Sequence, residues 1–127
     1  MFSHIVLGAN DLEQSKKFYD AILGATGGNP AGPPDPKGRI VYMHRGAILI
    51  VGNPIDGEAA SGANGGTVGF TCESTEEVDA WHKAGVEAGG TSIEDPPGIR
   101  ETPFGNLYLA YLRAPAGNKL CGMHRMG

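Results

Sequence analysis

The chain is 127 residues long, enough for one domain around one core and too short for two that would each bury a sufficient apolar interior. Its 14 acidic and 10 basic residues leave a net charge of -4, and the basic ones are scattered rather than gathered into a patch that could neutralise phosphates, which argues against nucleic acid as a partner. No apolar run reaches the roughly 20 residues that a membrane-crossing helix needs, so no membrane partner is expected and a soluble, cytoplasmic protein is.

In chain order, the run HIVL (4–7) is short, apolar and partly β-branched, as strands are. Asn10 or Asp11 then caps a helix near 11–23, with Glu13 or Gln14 three residues on, and Leu12, Phe18, Ile22 and Leu23 form its apolar stripe up to Gly24. GGNPAGPPDPKG (27–38) holds too much Gly and Pro for regular structure. RIVYMH and AILIVG, separated by Arg-Gly, read as a hairpin. NPIDGEAASGANGG (53–66) is a linker, and its GANGG lacks the lysine and helix start that a phosphate loop needs.

A second strand-like run, TVGFTCES, leads into Ser74 with Glu77 three residues later, a capping box for a helix near 75–88. Val78, Trp81, Ala84 and Ala88 recur at helical spacing, and Trp81 is expected to be a packing residue. TSIEDPPGIRETPFG reads as a short strand and a proline-containing loop, followed by the strands NLYLAYLR and KLCGMH joined by the turn APAG. Two cysteines, Cys72 and Cys121, are too few for a disulfide scaffold and read as small buried hydrophobes.

Both halves thus read as strand, helix, short strand, strand, strand. A shift of 63 residues superposes His4 on Thr67, Asp11 on Ser74 and Phe18 on Trp81. This repeat implies an internal duplication, with units at about 1–53 and 65–127 that each need the other to cover an apolar face. The expected class is α+β: two βαβββ modules forming an open, concave mixed sheet with helices on the outer face, and a cavity that is the natural place for a small-molecule ligand. Exposed edges and apolar surface on so small a domain further suggest a homodimer.

HIVLGANDLEQSKKFYDAILG at the start and LAYLRAPAGNKL near the end resemble the vicinal oxygen chelate superfamily, which includes glyoxalase I, bleomycin-resistance proteins, extradiol dioxygenases and fosfomycin-resistance proteins. In its metal-dependent members one residue from each of four strands holds a divalent ion. The resemblance places those four positions at His4, Leu49, Thr67 and Cys121, of which only His4 is the usual ligand type. In the terminal motif Ala114 and Ala116 replace aspartates, while Gly117 and Asn118 remain.

A catalytic divalent site needs about three protein ligands and an open position, and Leu49 cannot ligate while Thr67 is a poor donor. His4 with Cys121 would need a third ligand. His44 and His124 are the nearest candidates, and three-residue spacing turns His124 to the opposite strand face from Cys121. No metal and no cofactor are therefore expected.

The ligand-contacting residues expected are His4 on the cavity wall, Leu49 sharing an apolar face with Ala47 and Val51, and Tyr42 with His44 facing the cavity while Val41 and Met43 meet the helices. Thr67 and Cys121 occupy the former ligand positions. Arg100 follows the Pro-Pro-Gly loop, a segment that covers the cavity in relatives, and Tyr108 lies in a strand whose facing the sequence leaves open. The implied function is metal-independent binding of a small organic molecule. The alternatives are a metal-dependent lyase or dioxygenase of the glyoxalase I type, and a metal-free lyase or isomerase in which His4, Tyr42 or His44 moves a proton.

Overall fold

A computed structural model describes residues 1–127. The first unit holds strand β1 (Ile5–Gly8), helix α1 (Leu12–Gly24) and strands β2 (Ile40–His44) and β3 (Ala47–Gly52). The second holds β4 (Val68–Thr71), α2 (Thr75–Glu87), β5 (Thr91–Thr102), β6 (Gly105–Arg113) and β7 (Lys119–Arg125). The 63-residue offset carries the start of β1 onto that of β4 and α1 onto α2, end for end. Both helices are capped as their sequences require: the Asp11 carboxylate accepts the Gln14 amide at 3.1 Å, and Ser74 Oγ accepts the Glu77 amide at 3.1 Å.

The seven strands form two open mixed sheets with the same internal order, β1-β3-β2 and β4-β7-β6-β5. In each, the first strand runs parallel to the last strand of its unit and the hairpin partner antiparallel. The short strand expected after the first helix is absent, because the proline and glycine run at 27–38 cannot supply a ladder of amide donors. Its counterpart in the second unit is longer than expected. β5 continues through Pro96 and Pro97, which is tolerated because it is an edge strand and a register shift between Ile93 and Gly98 absorbs the two prolines. The Arg-Gly turn between β2 and β3 has φ of 50° at Arg45 and 79° at Gly46, the double left-handed conformation of a tight hairpin.

The two helices pack on each other, and each covers one face of its own sheet. Phe18 and Ile22 of α1 reach Gly85 of α2, where an added Cβ would sit 3.0 Å from Ile22 Cγ2, so the helices cross at a glycine. Trp81, fully buried as expected, lies over Gly122 of β7 and beside Phe70 of β4. Cys72 and Cys121 are both buried and free. Asn118 ties the units together, its side-chain amide donating to Gly8 O at 2.9 Å.

Strand alternation in the first sheet runs opposite to expectation. Ile40, Tyr42, Leu49 and Val51 are buried toward α1, whereas Met43, Val6 and Ile48 are exposed on the far face. The reason is polar: the Tyr42 hydroxyl finds an acceptor on α1, donating to Asp20 Oδ1 at 2.7 Å, and Asp20 also accepts the Ala31 amide and pairs with Lys16. A tyrosine with a partner on the helix outcompetes an aliphatic residue for the inner position.

Candidate functional site

Where the two units meet, a cavity of about 160 Å³ remains between β4 and the inner face of the first sheet. Eight of its 13 lining residues are hydrophobic, with Ile5, Leu23, Leu49, Val68 and Phe70 giving the apolar wall. The polar groups gather at one end, where α1 runs out and the β2–β3 hairpin turns: Thr26, His44, Arg45 and Thr71.

That polar end is ordered by an interlocking set of bonds. His44 Nε2 lies 3.1 Å from both Thr26 Oγ1 and Thr26 O. A carbonyl only accepts and Thr26 Oγ1 donates to Leu23 O at 3.0 Å, so in the neutral ring Nε2 carries the proton and Nδ1 keeps its lone pair. Arg45 donates to Thr26 O at 2.8 Å, to Thr71 O at 3.0 Å and to Glu77 Oε1 at 2.9 Å. One side chain thus clasps the end of α1, the end of β4 and the first turn of α2. The Arg45 guanidinium holds the Glu77 carboxyl below its usual range, and Glu77 in turn raises Arg45. The Tyr42 hydroxyl is pushed well above the ordinary tyrosine value by burial and by Asp20, so it keeps its proton and serves as a fixed donor rather than a base.

Of the eight residues singled out in the sequence, Tyr42, His44 and Leu49 line this cavity, on the helix side of the sheet rather than on its open face. The other five lie elsewhere. His4 is exposed ahead of β1, its Nδ1 2.7 Å from Ser3 Oγ, and Thr67 is exposed just before β4. Arg100 braces the irregular part of β5, donating to the carbonyls of Gly98, Asp95 and Pro96. Tyr108 faces α2, donating to Asp79 Oδ1 at 2.8 Å. Cys121 is buried on the open-face side of β7 opposite Tyr111, and burial raises its thiol.

Thr26 and Arg45 escaped the sequence reading. A threonine just past a helix end and an arginine in a hairpin turn look like ordinary surface residues.

The four ligand positions do not fit a divalent ion. Leu49 points to the helix side, its neighbours Ile48 and Ile50 on β3 are hydrocarbon as well, and His4, Thr67 and Cys121 offer one imidazole, one hydroxyl and one buried neutral thiol. Nowhere do three His, Cys, Asp or Glu side chains converge. No helix is long and apolar enough to cross a membrane.

Comparison with known proteins accounts for this architecture. No curated protein matches the chain. Among solved structures, a glyoxalase/bleomycin resistance protein from Albidiferax ferrireducens T118 is 49% identical, with 98% of this chain and 99% of that chain covered and a TM-score of 0.94. A possible glyoxalase from Bacillus cereus (22% identity, 98% of each chain, TM-score 0.69) and a glyoxalase-related enzyme from Fulvimarina pelagi (22%, 97% and 86%, TM-score 0.69) share the fold. The family model described as Glyoxalase/Bleomycin resistance protein/Dioxygenase superfamily matches residues 1–121, so this α+β chain belongs to that superfamily.

Proposed function

We propose that the protein binds a small, mostly apolar organic molecule without a metal ion, in the cavity between its two units. The observation that carries this reading is the cavity itself: an apolar wall of Ile5, Leu49, Val68 and Phe70 closed at one end by Thr26, His44 and Arg45. An apolar cavity of about 150 Å³ holds a benzene ring, so the expected ligand has one ring or a short branched chain with a single polar group to meet the polar end. Metal-dependent lyase or dioxygenase chemistry is the alternative that the altered ligand positions disfavour. Native mass spectrometry of the freshly purified protein tests the binding reading: a carried adduct of one-ring size, lost on Leu49→Trp, supports it, and a divalent ion carried in its place restores the enzyme reading.

A metal-free lyase or isomerase is a second reading, favoured by His44, whose Nε2 is tied to Thr26 while Nδ1 keeps a lone pair. Turnover that survives chelator and disappears in His44→Gln is its signature. The proposal extends to a homodimer, because the open face of the first sheet leaves Met43 75% exposed with nothing in the chain to cover it. A cytoplasmic location accords with two cysteines that remain free.

A further inference from the structure

At the opposite end of the first sheet from the cavity, an open groove of about 830 Å³ lies between the start of β2 and the 53–61 loop, and it shares no lining residue with the cavity. Its floor exists because two strand-end residues lack side chains. A Cβ on Gly52 would sit 2.7 Å from Arg39 Cγ, and one on Gly8 would sit 2.9 Å from Ala60 Cβ. The loop wall is pinned rather than loose: Asn10 bonds Ala60 in both directions, at 3.1 and 2.7 Å, and the Asn53 side chain donates to Ala9 O at 2.9 Å.

The facing wall carries Lys37 and Arg39. Asp35 organises both, accepting the Lys37 amide at 2.9 Å, the Arg39 amide at 2.8 Å and Arg39 Nε at 2.8 Å. This fixes the guanidinium by its inner edge. The outer edge, Nη1 and Nη2, meets no protein acceptor, and Lys37 makes no ion pair. Two parallel donors on a side chain locked in place are the arrangement that a carboxylate accepts bidentately. Beside them the groove offers apolar surface from Val6 and from Ile55, the latter 99% exposed. Asp56, the acidic residue in the lining, opposes an anion, although its Oδ1 is engaged by the Glu58 amide.

We infer that this groove is a binding site for an organic carboxylate with an apolar tail, its carboxylate on the outer edge of Arg39 beside Lys37 and its tail along Val6 and Ile55. The site is independent of the cavity and of any activity there.

Octanoate titrated into the ¹⁵N-labelled protein, with octanamide and inorganic phosphate as comparison probes, tests the inference. Octanoate should bind saturably with amide shifts centred on Val6, Gly8, Gly52 and Arg39, and more tightly than either comparison probe. Arg39→Gln should weaken it about tenfold, the loss of one charge-assisted pair, and Asp56→Asn should tighten it. Lys37→Ala, at an exposed position that leaves the Asp35–Arg39 pair intact, should weaken binding even where Arg39→Gln disturbs folding. Equal binding of octanamide, shifts centred on Tyr42 and Leu49 instead, or indifference to both Lys37→Ala and Asp56→Asn would overturn the inference.

Discussion

Leu49→Ala probes the cavity through stability. Leu49 is 8% exposed and borders the 160 Å³ void on one side, while Leu112 is fully buried and packed against α2 at Gly85. Truncating leucine to alanine removes three carbons, worth about 2.4 kcal/mol in transfer free energy at roughly 0.8 kcal/mol per carbon. To this is added a term for contacts that the remaining neighbours lose. Leu49 already lacks neighbours toward the void, so its added term is small and the expected cost is about 2 to 3 kcal/mol. Leu112, packed on all sides, should cost about 4 to 5 kcal/mol on Ala substitution. Urea unfolding followed by Trp81 fluorescence measures both on one scale, with unchanged slope confirming the same two-state transition. Equal costs would mean that no void borders Leu49 and would refute the description of the cavity.

Arg45→Met should lower stability most near neutral pH. Glu77 has its folded carboxyl value depressed by Arg45, so the pair stabilises above the unfolded carboxylate value near 4.3 and loses its effect as pH falls through the folded value; the wild-type and variant melting curves should therefore converge in acid. Convergence at alkaline pH instead would contradict the clasp. Gly122→Ala places a Cβ 2.7 Å from Trp81 Cε3 and should cost about 1 to 3 kcal/mol, with a shifted Trp81 emission spectrum. Tyr42→Phe should cost about 1 kcal/mol, and amide exchange should rise at Ala31, whose donor shares the Asp20 acceptor. Light scattering should give twice the 13.2 kDa chain mass at micromolar concentration, reverting to one chain on Met43→Lys.

Much of the fold was legible because it rests on local chemistry. Asp11 and Ser74 each occupy the N-cap, Trp81 sits at a helical core position, and the 63-residue offset survives as an end-to-end match of both helices. What the sequence could not settle was which side of a strand faces which layer. Period-two alternation put Tyr42, His44 and Leu49 together on one face of the first sheet, but whether that face meets the helices depended on Asp20, 22 residues before Tyr42. The same gap hid the cavity at the seam between the units. β5 was underestimated for a related reason: Pro96 and Pro97 argue against a strand locally, and only its place at the sheet edge makes them harmless. Arg45 and Thr26 joined the polar end through contacts 18 to 32 residues apart in sequence, which no local pattern encodes.

The most direct test of metal-independent binding in the cavity is isothermal titration calorimetry of single-ring compounds carrying one polar group, in EDTA-treated buffer, against the wild type and Leu49→Trp. At least one compound should bind the wild type with the same affinity before and after EDTA, and filling the cavity with tryptophan should abolish its heat. Binding that appears only when zinc, nickel, iron or manganese is added back, and that His4→Ala eliminates, would contradict it.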